Sequence, residues 1–305
     1  FIKTIDTNYQ DADFMELLNY QIGGYNQKQA FNELKDTILE SGANDIIFYF
    51  GIPSYISPIA IHEITQLSIY QSSNYNCRFI VEKPIGTDLN SCNKILDEIY
   101  QYITEDQLYI LDHYLGKSSI RDIINLNTND YKTNNIDIQS LSIILNEEDD
   151  VNHRLEYFNN VGIFKDMIQS HGMVILYYLK PDLFTSQNIN GIKINNIIKA
   201  QYNSYKGGQD TDTYIKVDCL IGGINIILEA GKGLYQNSKN IVINGNNMPI
   251  NTIYSEYKTL FQDALNYNKS KYLSRDKLIS FWLLSEKIWQ EIAKENMQYY
   301  TIGNK

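Results

Sequence analysis

The chain has 305 residues, enough for two domains that each bury a core, and its 43% apolar content is that of an ordinary globular protein. A formal charge of −10 argues against nucleic acid or an anionic membrane as partner, and it obliges any site for an anionic substrate to gather its cations locally. Cys77, Cys92 and Cys219 show neither metal-ligand spacing nor an even disulfide framework, and no apolar run is long enough to cross a bilayer, which reads as a reduced, cytoplasmic protein without bound metal. Residues 1–6 do not resemble a signal peptide, and a first residue Phe rather than Met points to a cropped or processed chain with a segment missing upstream.

Residues 9–19 carry polar and aromatic side chains without period and read as a loop running into a short helix. Ala30, Phe31, Leu34, Ile38 and Leu39 recur at helical spacing over 27–41, and Gly42 suits the position just past a helix end. Asp45-Ile46-Ile47-Phe48-Tyr49-Phe50-Gly51 is the continuous apolar run of a buried parallel strand. Pro58 opens a helix that Ile59, His62, Glu63 and Leu67 continue. The unit then repeats. A strand at 78–82 ends in Lys83-Pro84-Ile85-Gly86-Thr87, Asp88 or Asn90 caps a helix carrying Leu89, Ile95, Leu96 and Ile99, and 108–111 form a third strand. This alternation predicts a parallel sheet with crossover helices.

After Lys117 the texture changes. Residues 120–126 read as helix, 128–135 as a polar loop, 136–147 as a long strand and 161–179 as a helix. Strands follow at 192–205, 214–220 and 224–230, the last two joined by a Gly222-Gly223 hairpin. Asn244-Gly245-Asn246-Asn247 is a further turn, and helices at 254–265 and 276–293 close the chain. The fold class is therefore α/β plus α+β: an incomplete Rossmann-like parallel-sheet domain over 1–113, then an α+β domain over 114–305 with a large, mainly antiparallel sheet. No Gly-x-Gly-x-x-Gly loop follows any strand, so the first three strands resemble the later part of a dinucleotide fold.

Three polar clusters carry chemistry. Asp112-His113-Tyr114-Leu115-Gly116-Lys117 sets an acid, an imidazole, a phenol and an amine at the carboxyl edge of the sheet, with a glycine letting the backbone turn. Taken alone, it reads equally well as a polar loop closing a buried strand. Glu82-Lys83-Pro84 ends the neighbouring strand, where Lys83 is either a surface lysine or a cation aimed into the crevice. In the third, Asp166 and His171 sit on one helix about 140° apart at ~100° per residue, so they border a face without stacking. Asp166 is then a poor direct partner for His171, and an acid from another element, such as Asp112, would orient the ring better. Histidine suits a general base near neutral pH, while the bland alternative is a core histidine bonded to backbone. Glu147 and Gly231-Lys232-Gly233, taken singly, are ordinary charged strand ends, and His62 and His153 read as structural or exposed.

The stretch Asp112–Lys117 resembles the signature of the glucose-6-phosphate dehydrogenase family. Residues 80–89 resemble that family's strand and Glu-Lys-Pro turn, 157–171 its catalytic helix, and 226–232 its strand and Gly-Lys turn. The four occur in the family's order from about residue 19 to 293. The resemblance implies an NADP-dependent oxidation of glucose 6-phosphate to 6-phosphogluconolactone, in the oxidative pentose phosphate pathway, by a cytoplasmic homodimer. Carried over by position, His171 is the general base and Asp112 its orienting acid. His113, Tyr114 and Lys117 hold the phosphate, Lys83 faces both sugar and cofactor, Pro53 lines the cofactor site, and Glu147, Asp166 and Lys232 bind the sugar.

The chain departs from the family's pattern in places. The opening glycine turn, a nearby substrate lysine and the arginine for the NADP 2′-phosphate have no counterpart before Phe1. A short turn replaces a longer segment between Asn240 and Tyr254, Asn237 falls where a second basic ligand is usual although Lys239 lies close by, and Ser57 falls where an aromatic residue is common. These departures motivate an alternative, a non-catalytic relative that binds sugar phosphate or serves in an assembly. A third reading is a different two-domain sugar oxidoreductase sharing only the Glu-Lys-Pro turn.

Overall fold

The computed structural model describes residues 16–129, 137–151, 154–251 and 255–303. The expectations for residues 1–15, for the loop beyond 129, for His153 and for Tyr254 lie outside the described residues.

Three parallel strands, β1 (Asp45–Phe50), β2 (Asn76–Glu82) and β3 (Leu108–Leu111), form the first sheet in that order. All four residues of β3 are buried, as a strand covered on both faces requires. Helix α1 (Lys28–Ser41) precedes β1 and ends at Gly42, whose left-handed backbone closes it. Helix α2 (Ser57–Thr65) starts with Pro58 in its first turn. Helix α3 (Leu89–Ile99) is opened by Asp88, whose carboxylate accepts the Ser91 N–H at 2.7 Å while the Ser91 hydroxyl serves the Asp88 backbone in return. The polar turns at Lys83 and Asp112 thus leave neighbouring strands at the same sheet edge.

The second sheet has seven strands: β4 (Ser140–Asn146), β5 (Lys193–Tyr202), β6 (Tyr214–Ile221), β7 (Ile224–Gly231), β8 (Ser238–Ile243), β9 (Asn246–Pro249) and β10 (Gln298–Tyr300). Their order across the sheet is β10-β5-β6-β7-β4-β8-β9. Pairing is mainly antiparallel, with β4 parallel to β7 and β10 parallel to β5. Gly222-Gly223 makes the β6–β7 hairpin as expected. The turn at Asn244-Gly245 proves to join two strands, β8 and β9, because both turn residues take positive φ (49° and 85°). Those strands are short and rich in Asn, and they lack the apolar alternation that betrays a strand.

Helices α4 (Ser118–Asn129), α5 (Leu155–Ile163), α6 (Met173–Leu179), α7 (Glu256–Leu265) and α8 (Arg275–Ile292) complete the architecture. The closing helices lock the two sheets together. Trp282 of α8 donates to the Ile85 carbonyl at 3.3 Å, and Glu286 accepts the Leu89 N–H at 2.9 Å. Buried Arg78 of β2 donates to the last carbonyls of α7, pairs with Asp45 at 3.2 Å and lies 3.9 Å from the Tyr267 ring centroid. Cys77, Cys92 and Cys219 are buried free thiols. Among the described residues no helix is long and apolar enough to cross a membrane, and no cluster of ligating side chains is arranged to hold a metal.

Candidate active site

Lys83, Asp112 and His171 meet behind the two strand ends. Asp112 is fully buried, its Oδ1 lying 3.0 Å from His171 Nδ1 and 2.9 Å from the Tyr114 N–H, its Oδ2 3.5 Å from Lys83 Nζ. Lys83 also donates to the Ser170 carbonyl at 2.5 Å. Burial opposes the charge on Asp112, but His171 and Lys83 outweigh it and hold the carboxyl well below the usual carboxylate range. An ionised Asp112 accepts the Nδ1–H of His171 and leaves the Nε2 lone pair free. Burial pushes the His171 imidazole below its ordinary pKa despite the pull of Asp112, so the ring is neutral at pH 7. It stacks on Tyr114 at 4.1 Å and meets His113 edge-on at 4.7 Å.

The stretch expected as one helix over 161–179 is three pieces. A kink at Gly162 ends α5, a π-helical segment runs Phe164–Gly172, and α6 continues from Met173. With hydrogen bonds spaced five residues apart, residues i and i+5 come into near register instead of lying about 140° apart. Asp166 and His171 therefore project from the same side of the segment, which corrects the geometry expected for a regular helix. They still serve different partners: His171 turns to Asp112, and Asp166 to Arg154 at 3.1 Å. The kink depends on Gly162. Its φ is +67°, and a Cβ there would sit 2.7 Å from the Asp212 carboxylate. Asp212 accepts the Phe164 N–H at 3.2 Å and so anchors the first turn of the π segment; burial pushes its carboxyl up to about 6.

Glu147, Asp166 and Lys232 converge in a second cluster. Lys232 is paired with Glu147 and lies 3.7 Å from Asp166, while Lys239 reaches Glu147 at 2.5 Å. Burial disfavours the charged Glu147, yet the two lysines hold it down at about 2. Asn237 accepts the Glu148 N–H at 3.1 Å, and the second cation of this region is Lys239. Arg154 also belongs here and is absent from the sequence reading. Its short segment has no periodicity and no motif to mark it.

Between the clusters lies Tyr114, buried, with a hydroxyl that has no hydrogen-bond partner among the described residues. Burial raises its phenol pKa, as do the carboxylates of Glu147, Asp112, Glu256 and Asp166. Beside it, His113 and Lys117 converge on one acid that the sequence reading did not single out. Glu256 accepts from both, at 2.8 Å from His113 Nδ1 and 2.9 Å from Lys117 Nζ. Gly116 makes this possible: a Cβ there would sit 2.3 Å from the Glu256 carbonyl. The glycine of the stretch is thus needed for the close approach of α7 more than for a turn. On the other side of Lys83, a cavity of about 580 Å³ is bounded by Ile52, Pro53, Pro84, Thr87 and Tyr157. His62 sits at the surface beside Glu63 at 3.5 Å, away from these groups, as expected.

Residues 3–122 match the family model described as glucose-6-phosphate dehydrogenase, NAD binding domain, and residues 128–199 match that described as glucose-6-phosphate dehydrogenase, C-terminal domain. Glucose-6-phosphate 1-dehydrogenase of Helicobacter pylori is 26% identical over 269 residues, covering 79% of this chain and 61% of the relative. The cytoplasmic isoform from Solanum tuberosum is 25% identical over 278 residues, covering 78% and 54%. The chain thus spans between half and two thirds of the length of these curated relatives. A solved structure described as glucose-6-phosphate dehydrogenase in complex with its substrate glucose-6-phosphate superposes with a TM-score of 0.79 at 19% identity, over 98% of this chain and 82% of that one, which establishes the shared fold. With two successive domains of one family matched in order and its fold reproduced throughout, the chain belongs to the glucose-6-phosphate dehydrogenase family.

Proposed function

We propose that the protein oxidises glucose 6-phosphate at C1 to 6-phosphogluconolactone with NADP. The observation that carries this reading is the buried Lys83–Asp112–His171 network, which presents a neutral imidazole whose Nε2 is left free by the bond from Nδ1 to Asp112. His171 takes the C1 hydroxyl proton as the C1 hydride departs; Asp112 fixes the tautomer and stabilises the imidazolium that forms. The proton that His171 takes adds one positive charge to the Lys83–Asp112–His171 network, which favours the oxygen that has lost its proton.

The cavity beside Lys83 fits the nicotinamide end of the cofactor. Ile52, Pro53 and Pro84 offer apolar walls for a planar ring, and the Lys83 ammonium marks the side facing the sugar. When bound, NADP supplies the hydride acceptor. On the opposite side, Tyr114 offers a hydroxyl without a partner among the described residues, and His113 and Lys117 supply donors for the 6-phosphate. Glu147, Asp166 and Lys232 would bind sugar hydroxyls through their remaining hydrogen-bonding capacity. In this reading residues 1–113 form the nucleotide domain and 114–305 the substrate and dimerisation domain of a cytoplasmic homodimer; the cytoplasmic description of the potato relative supports the location.

Purified full-length protein given glucose 6-phosphate and NADP is expected to form NADPH, with free glucose a poor substrate. Turnover of glucose in preference to its phosphate would contradict the reading. A binding-only protein has one observation in its favour, Ser57 standing where an aromatic residue near the nicotinamide is common. Calorimetry showing sugar-phosphate binding with no nucleotide binding would select it.

A further inference from the structure

We infer that Glu256 is an internal anion that occupies the phosphate end of the site and has to swing aside before a phosphorylated sugar can bind, which makes it the residue that sets affinity for the phosphate group. The inference rests on the reading of His113 and Lys117 as phosphate ligands and goes beyond it. A carboxylate whose two oxygens lie 2.8 and 2.9 Å from two nitrogen donors has the geometry of a bound oxyanion. Both bonds, against the cost of burial, hold the Glu256 carboxyl below the usual glutamate range, so it is charged at neutral pH, as the phosphate is.

The position is built into the backbone. Glu256 opens α7, and α7 is pressed onto the turn at 113–116 by the missing Cβ of Gly116 and by the Thr259 hydroxyl, which donates to the Gly116 carbonyl at 3.2 Å. The Cα of Glu256 is therefore fixed, and only its side chain can leave. It has somewhere to go: about a fifth of the side chain is exposed, whereas Asp112, the nearby acid on the same turn, has no exit to solvent. With Glu256 in place, the negative charge already satisfies Lys117. A phosphate arriving at the same donors would meet a like charge at contact distance, which is strongly unfavourable in a part-buried site. Side-chain rotation into water relieves that repulsion, and the phosphate inherits the two donors. A free sugar brings no anion and requires no such exchange.

The test is calorimetric titration, at one ionic strength, of the full-length protein and of Glu256→Gln, Glu256→Ala and the surface control Glu40→Gln with inorganic phosphate, glucose 6-phosphate and glucose. Both Glu256 variants are expected to bind phosphate and glucose 6-phosphate at least about tenfold more tightly, with glucose affinity unchanged. Glu40→Gln, which removes one exposed charge from the same acidic protein, is expected to change nothing measurable. Adding Lys117→Ala to Glu256→Ala is expected to abolish the gain. Equal phosphate affinity in the native protein and both Glu256 variants would overturn the inference and leave the phosphate-site reading standing. An equal gain in Glu40→Gln would overturn it too, by showing a general charge effect. Absence of phosphate binding in every protein would overturn the inference together with that reading.

Discussion

At the scale of the residue, the site rests on a buried acid with three simultaneous partners. Asp112 accepts from a backbone N–H, faces an imidazole and neutralises a lysine, all without contact with water. Replacing it by Asn keeps the shape and removes the charge. His171 then loses the one nearby group that raises its pKa, while burial, His113 and Lys83 continue to lower it. The base form of His171 is the unprotonated one, so activity falls as pH drops through the His171 pKa. For Asp112→Asn the acid limb of the pH–rate profile is therefore expected to move to lower pH, and kcat to fall by about a hundredfold or more, because the amide no longer fixes the tautomer. A profile with an unmoved limb and native kcat would show that Asp112 does not act through His171. Asp112, Lys83 and His171 were all legible in the sequence, since each ends or follows a recognisable element. Their pairing was not legible from helix geometry: the angle of about 140° that set Asp166 aside belongs to a regular helix and the segment is π-helical, so the Asp112–His171 pair followed from the family resemblance. Glu256 was not legible, because its partners lie 139 and 143 residues away and its own helix reads as an ordinary amphipathic one.

At the scale of the element, the decisive departure from expectation is the π segment Phe164–Gly172. Hydrophobic periodicity identifies a helix there and cannot say that its hydrogen bonds skip to the fifth residue. The physical cause lies outside the segment. Gly162 takes a left-handed conformation against Asp212, whose carboxylate receives the first free N–H after the kink. Gly162→Ala is expected to cost about 1–3 kcal/mol in denaturant unfolding and to lower kcat by misplacing His171. Gly172→Ala is the matched comparison. The three atoms nearest its added Cβ are Ile168 side-chain atoms at 3.6–3.8 Å, ordinary van der Waals contact, and stability is expected to hold or rise. Equal stability of the two variants would mean that the kink is not what shapes the segment. The strands of the first sheet were legible as continuous apolar runs. The edge strands β9 and β10, and β8 next to β9, were not, because the pairing of short segments at the margin of a sheet is set by neighbours in space.

At the scale of the whole molecule, a chain of net charge −10 gathers Lys83, His113, Lys117, Lys232 and Lys239 around the region proposed to take an anionic sugar. It also pairs each of Lys83, Lys117, Lys232 and Lys239 with a carboxylate. The cations are thus held in place by acids, and under the proposed function substrate binding is an exchange of partners rather than the filling of a bare positive pocket. The fold makes that exchange possible by joining two sheets through α7 and α8, which bring Glu256, Trp282 and Glu286 back onto the turns after β2 and β3. The central claim is that the imidazole of His171 does the proton chemistry at C1. The most direct measurement is single-turnover oxidation of glucose 6-phosphate by His171→Asn in the full-length protein, alongside calorimetric sugar-phosphate affinity. The account predicts a rate lower by about 10²–10⁴ with affinity within about threefold of native. A native rate from His171→Asn would contradict it.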